Sequence, residues 1–124
     1  MVEQKLTTIH PGIINVGLID SADKAFLAGS EFRKNEVDLI FLYVSTYALS
    51  ATVLPVVQRA KVPVIILNLA PEASIDYDSF NKMGNRDKMT AEWLAYCSAC
   101  AVPEIANVFK RTGITFFPGY RIIR

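Results

Sequence analysis

Several groups of side chains in this chain have types and spacings that suit chemistry. Cys97-Ser98-Ala99-Cys100 has the CxxC spacing of a dithiol. A redox dithiol sits at a helix N-terminus, where the dipole favours the thiolate, whereas this pair falls late in a stretch of helical spacing. With distant His10 as the lone histidine, the two cysteines do not supply a four-ligand zinc site either. Buried thiols packing between helices are the simpler expectation. Glu72, Asp76, Asp78 and Glu92 are carboxylates of the kind used in acid–base catalysis or metal binding, but nothing in their spacing makes them converge, so solvated or capping roles are expected. Ser45-Thr46-Tyr47 offers hydroxyls that suit a phosphate or a sugar hydroxyl if a helix starts just after it. Equally, Thr46 or Ser50 can serve simply as a helix cap.

The elements that must position that loop are two apolar runs, Val37-Asp38-Leu39-Ile40-Phe41-Leu42-Tyr43-Val44 and Val62-Pro63-Val64-Ile65-Ile66-Leu67-Asn68-Leu69. Their unbroken hydrophobicity predicts strands covered on both faces. Residues 48–61 between them have helical spacing, so the three segments form a βαβ unit of an α/β fold. Parallel strands put their carboxyl ends on one edge, where open α/β sheets bind ligands. Ser45-Thr46-Tyr47 and Ala70-Pro71-Glu72 follow those ends. The first loop lacks the glycine of a flavodoxin-type phosphate loop and the Gly and Lys of a nucleotide P-loop. No Asp follows Val44 or Leu69, which counts against a phosphate-accepting receiver domain.

Elsewhere the pattern is less uniform. Residues 12–19 read as either a short strand or an extended arm. A helix is predicted from Asp20 or Ser21 to near Asn35, with Ala22, Ala25, Phe26, Gly29 and Phe32 on its stripe. In the next helix, Leu49, Val53, Val56 or Val57 and Ala60 share a face, and Pro55 must lie in the first turn or kink it. Residues 71–87 are turn-rich and predict a long loop. A third helix carries Met89, Trp93, Tyr96 or Cys97, and Cys100. Pro103 then suits the first turn of a fourth helix, which Gly113 ends. Trp93, Tyr96 and Phe109 suit the core or a subunit interface. Ile114-Thr115-Phe116-Phe117 reads as a strand cut short by Pro118-Gly119.

The bulk composition excludes several classes of partner. At 124 residues the chain is one domain, and 13 Lys and Arg against 12 Asp and Glu leave no field to gather nucleic acid or an anionic membrane. No apolar run reaches a membrane span of about 20 residues, the start has no signal-peptide pattern, and two cysteines make no secreted disulfide framework. A cytoplasmic protein is expected.

Longer strings carry a resemblance. Asp38-Leu39-Ile40-Phe41-Leu42-Tyr43-Val44-Ser45-Thr46-Tyr47-Ala48-Leu49-Ser50, Val53-Leu54-Pro55-Val56-Val57-Gln58-Arg59-Ala60, Ile75-Asp76-Tyr77, Met89-Thr90-Ala91-Glu92-Trp93-Leu94-Ala95-Tyr96-Cys97 and Pro103-Glu104-Ile105-Ala106-Asn107-Val108-Phe109 resemble the N-terminal domain of sugar isomerases of the L-arabinose and L-fucose isomerase type. The likeness spans residues 15–113. It implies a flavodoxin-like, three-layer α/β/α domain. The parent enzyme would be a larger oligomer that interconverts an aldose and its ketose with a divalent metal, usually Mn2+, held by later domains. In that family this domain walls the sugar pocket and makes subunit contacts without catalysing anything alone. Ser45, Thr46 and Tyr47 would line the pocket, Tyr47 as its aromatic, and Asn68 and Glu72 would face it. Ala70 stands where the family has a polar glutamine, and the likeness stops at residues 116–124. Residues 1–124 are therefore expected to be one truncated N-terminal domain. The alternative is a free-standing small-molecule-binding or protein-interaction module of the same fold, and exposed apolar surface where other domains would dock favours the fragment over it.

Overall fold

The computed structural model describes residues 2–70, 74–96 and 98–122. In order they form α1 (Val2–Ile9), α2 (Ala22–Lys34), β1 (Ile40–Tyr43), α3 (Ser50–Ala60), β2 (Val64–Ala70), α4 (Tyr77–Lys82), α5 (Arg86–Tyr96), α6 (Ser98–Arg111) and β3 (Phe116–Ile122). The three strands make one parallel sheet in the order β1-β2-β3, with Ile40 beside Val64 and Val64 beside Phe116. This is the α/β class read from the two apolar runs.

Burial alternates along the strands, and that alternation shows where the helices lie. Ile40, Val44, Val64, Ile66 and Asn68 are buried, and the apolar ones share a single core with Val53, Val56 and Val57 of α3 and Ile105 and Phe109 of α6. Phe116 stands edge-to-face against Phe109, with ring centroids 5.9 Å apart. On the opposite face Phe41, Tyr43 and Phe117 are 40, 41 and 59% exposed. A sheet that grows in one direction through right-handed crossovers sets both crossover helices on the same side. Among the described residues no helix covers the second face. Phe41 and Tyr43 of β1 therefore stand open on that face, and the described residues show an α/β sheet with helices on one side.

α2 packs on α3 rather than on the sheet. Gly29 permits the close approach: a Cβ there would stand 3.0 Å from Arg59 Cβ and 3.2 Å from the Val56 carbonyl oxygen. Arg59 seals the contact, its Nε donating to Ser30 Oγ at 2.8 Å while its guanidinium lies 4.2 Å from the centre of the Phe26 ring. The buried stripe of α2 is Ala25, Ala28, Gly29 and Phe32, so the predicted Ala22 and Phe26 fall outside it. The helix starts at the expected cap, Ser21, whose Oγ accepts from Lys24 N at 3.4 Å, and its C-cap is Asn35.

Several boundaries differ from expectation, each for a local reason. Residues 13–20 form neither helix nor strand, and Ile14, Val16 and Ile19 pack against the core as an arm. β1 is half its apolar run because Val37 belongs to the helix exit, its N–H donating to Phe32 O at 3.2 Å. Leu49, at the α3 N-cap, is exposed. Pro55 and Pro103 each sit in a helix interior and not in a first turn, on exposed positions where solvent can satisfy the carbonyl that lacks a donor. The predicted loop of residues 71–87 contains α4, started by Asp76 as its N-cap. β3 begins at Phe116 and runs through Pro118-Gly119 without stopping. Val64 N donates to Thr115 O at 3.0 Å, so alternation turns Pro118, three residues on, toward the outer edge, where a missing N–H leaves no gap. Cys97 lies outside the described residues, as does the side chain of Cys100, and with them the packing expected of the thiols.

Candidate functional site

The carboxyl edge of the sheet gathers most of the residues singled out from the sequence. Pairing of Tyr43 with Leu67 leads β1 into Ser45-Thr46-Tyr47 alongside Asn68 and Leu69. All three loop residues are exposed, Tyr47 by 54%. Thr46 Oγ1 reaches the Leu94 carbonyl at 3.5 Å, a long bond that ties the loop to α5. Asn68 stands at the same edge but on the helix-covered face, 2% exposed, and its Nδ2 has no hydrogen-bond partner among the described residues. The loop and this carboxamide share an edge but not a surface. Glu72 lies outside the described residues.

Neither Thr46 nor Ser50 caps α3 in the expected way. The N-cap, Leu49, makes no side-chain bond to the helix. The partner of the N-terminus is Glu104 of α6: Ser50 N donates to Oε2 at 3.0 Å, and Ser50 Oγ donates to Oε1 at 2.5 Å. A carboxylate there completes an orphan amide and opposes the positive end of the helix dipole. Sequence reading missed Glu104 because the contact spans 54 positions. Its one local signal was an acidic residue directly after Pro103, near the start of the predicted fourth helix.

The other acidic residues do not converge. Asp76 Oδ1 accepts from Asp78 N and Ser79 N at 3.1 and 3.2 Å, and Oδ2 accepts from Ser79 Oγ at 2.6 Å. The Ser79 hydroxyl, then the Ser79 and Asp78 amides, hold this carboxyl below the usual aspartate range. Asp78 and Glu92 are exposed. Among the described residues no three His, Cys, Asp or Glu side chains stand together.

Two clefts lie away from this edge. One, of about 240 Å³, opens at the amino ends of β2 and β3 between Val57, Lys61, Pro63 and Ile114. The other, of about 310 Å³, lies between α4 and α5 against Phe80, Arg86, Met89, Thr90 and Trp93. Trp93 is 49% exposed and α5 buries no residue, so of the two roles expected, core or subunit interface, Trp93 does not take the core one, whereas Phe109 is fully buried in the core. No helix among the described residues is long and apolar enough to cross a membrane.

Fold and edge together define an α/β protein with a short parallel sheet, helices on one sheet face and a hydroxyl-bearing loop after its first strand. Compared with known proteins, the chain matches no family model and no curated sequence.

Proposed function

We propose that this chain is the N-terminal domain of a cytoplasmic, metal-dependent aldose–ketose isomerase of the arabinose/fucose type. It supplies a wall of the sugar pocket and contacts between subunits, and it has no turnover of its own. The observation that carries this reading is the uncovered sheet face. Phe41 and Tyr43 of β1, Leu39 just before it and Phe117 of β3 are each more than a third exposed. A patch of this kind lies at the upper end of what monomers carry, and the largest apolar patch on a domain is commonly the face that docks on others. The carboxyl edge supports the same reading, because Ser45, Thr46 and Tyr47 present two hydroxyls and an exposed aromatic ring, a combination that suits a sugar. The divalent metal and the proton-transfer groups belong to the parent's later domains, which act on the sugar held here.

The α4–α5 cleft favours the second reading, a free-standing binding module, since Arg86 and Trp93 face it with no further domain required. Two measurements separate them. With L-arabinose, the amide resonances of Ser45, Thr46 and Tyr47 should shift saturably, and incubation with L-arabinose or L-fucose and Mn2+ should give no ketose. Ketose formed by the purified chain overturns the proposal. So does an L-arabinose response confined to Phe80, Arg86 and Trp93.

A further inference from the structure

The cleft between α4 and α5 carries chemistry that the carboxyl edge of the sheet does not use. Arg86, Met89, Thr90 and Trp93 recur at the spacing of one stripe of α5, so they line about 10 Å of the helix, with the cation at its amino end and the indole at the other. Phe80 of α4 forms the facing wall, and Tyr77 meets its ring edge-to-face with centroids 6.4 Å apart. Phe80 and Met89 are half-buried and make an apolar floor, while Arg86, Thr90 and Trp93 stand exposed at its margin. The Thr90 hydroxyl donates to the Arg86 carbonyl at 2.9 Å, which leaves the guanidinium as the donor available to a ligand. Among the described residues no carboxylate pairs with Arg86: the ion pair they hold is Lys24 with Asp20, and neither Asp87 nor Glu92 of α5 lines the cleft.

We infer that this cleft is a binding site for a small aromatic carboxylic acid. The ring of such a molecule covers Phe80 and Met89 and packs against Trp93, and its carboxylate meets the Arg86 guanidinium, whose planar fork donates to both oxygens at once. Size follows from the volume: about 310 Å³ is at the small end of ligand sites, room for one ring on a short chain. Class follows from the charge, because an unpaired cation at one end of an apolar groove distinguishes an anion from a neutral ring of the same shape. The amino end of the α5 dipole lies at that same end and adds to the preference. A neutral sugar brings no charge for Arg86, so this site is separate from the edge at Ser45-Thr46-Tyr47. The inference goes beyond the proposed pocket-wall function and does not depend on it.

Trp93 is the sole tryptophan of the chain, so its fluorescence reports on this cleft alone. The test is a titration of the full chain at neutral pH with 3-phenylpropanoate, its neutral counterpart 3-phenylpropanamide, and acetate as the charge without the ring. The acid should change the Trp93 emission saturably, with a dissociation constant in the millimolar range or below, as befits so small a ligand. The amide should bind about fivefold more weakly, and acetate should leave the emission unchanged. Arg86→Gln, an exposed substitution, should make acid and amide equal, whereas Lys88→Gln, which removes a cation of the same helix outside the cleft, should keep the parent's preference. A parent chain that does not distinguish acid from amide overturns the inference, as does an Arg86→Gln variant that keeps the preference or an acetate response equal to that of the acid. Emission that changes with protein concentration and not with the acid assigns the cleft to a second copy of the chain, and this too overturns it. L-arabinose shifts at residues 45–47 are read separately, so failure here leaves the proposed function standing.

Discussion

Asn68 puts a carboxamide where Val64 and Ile66 put hydrocarbon, on the same face of the same strand. A buried N–H with no acceptor costs about 1–3 kcal/mol relative to its solvated state, while an apolar group of equal shape avoids that penalty. Asn68→Leu should therefore raise the stability of the isolated chain by roughly 1 kcal/mol, read as a higher urea midpoint at unchanged m, and an unchanged or lower midpoint would show that Nδ2 finds a partner in solution. Asp76 makes the opposite case, a polar side chain fully employed. Because its folded pKa is lowered, its contribution is present above the unfolded aspartate pKa and is lost as pH falls through the folded value. The α4 cap should loosen below about pH 4, visible as faster exchange of the Asp78 and Ser79 amides, and Asp76→Asn should abolish that pH dependence while keeping a capping oxygen. Of these residue-scale features, Asn68 is singled out in the sequence through a likeness of wording and Asp76 as a carboxylate with a solvated or capping role. Glu104 was neither, since a cap supplied from another helix leaves no mark within the helix it serves.

Three helices of this chain end on a left-handed residue, two of them through the same pair of bonds and the third through a single one. After α6, Ile114 N bonds to Phe109 O and Gly113 N to Lys110 O, with Gly113 at φ +72. After α2 the same pair of bonds recurs, Val37 N to Phe32 O and Glu36 N to Arg33 O, with Glu36 at φ +50. After α3, Lys61 at φ +58 donates its N–H to Val57 O at 2.9 Å. Left-handed geometry is free for glycine and costs other residues about 1 kcal/mol. Glu36→Gly and Lys61→Gly should each raise stability by roughly 0.5–1 kcal/mol and, being remote from one another in sequence and partners, should add in the double variant; calorimetric melting of the three proteins checks both claims. The stop at Gly113 was legible because glycine announces the conformation. Those at Asn35 and Lys61 could be placed but their geometry could not, since Glu and Lys are ordinary residues held in αL by tertiary packing of Val37 and Val62. The misplacement of Pro103 has the same origin: propensity puts proline at a helix start, whereas α6 already begins at Ser98, five positions earlier.

On the scale of the whole molecule, the sequence carried the parallel βαβ unit because β1, α3 and β2 adjoin in the chain, and burial on one side follows from crossover handedness. What it did not carry is that the other side stays open, since apolar strands are written alike whether their second cover comes from the same chain or from another. The sheet face of Leu39, Phe41, Tyr43 and Phe117, with the partly buried Ile65 and Leu67 between them, presents apolar surface on the order of a few hundred Å², about the largest patch that monomers usually tolerate. That is less than the roughly 800 Å² each partner contributes to a stable interface, so two isolated chains meeting face to face should associate weakly and reversibly. Sedimentation velocity across a concentration series should show a monomer–dimer equilibrium that strengthens with added sulfate, as apolar contact does. Phe117 is the most exposed of the group, so Phe117→Thr should shift that equilibrium toward monomer while changing the unfolding midpoint by no more than the equivalent of about 0.5 kcal/mol. Pairing driven by the outer edges of β1 or β3 would be indifferent to both Phe117→Thr and sulfate, because a main-chain ladder does not depend on which side chains the open face carries.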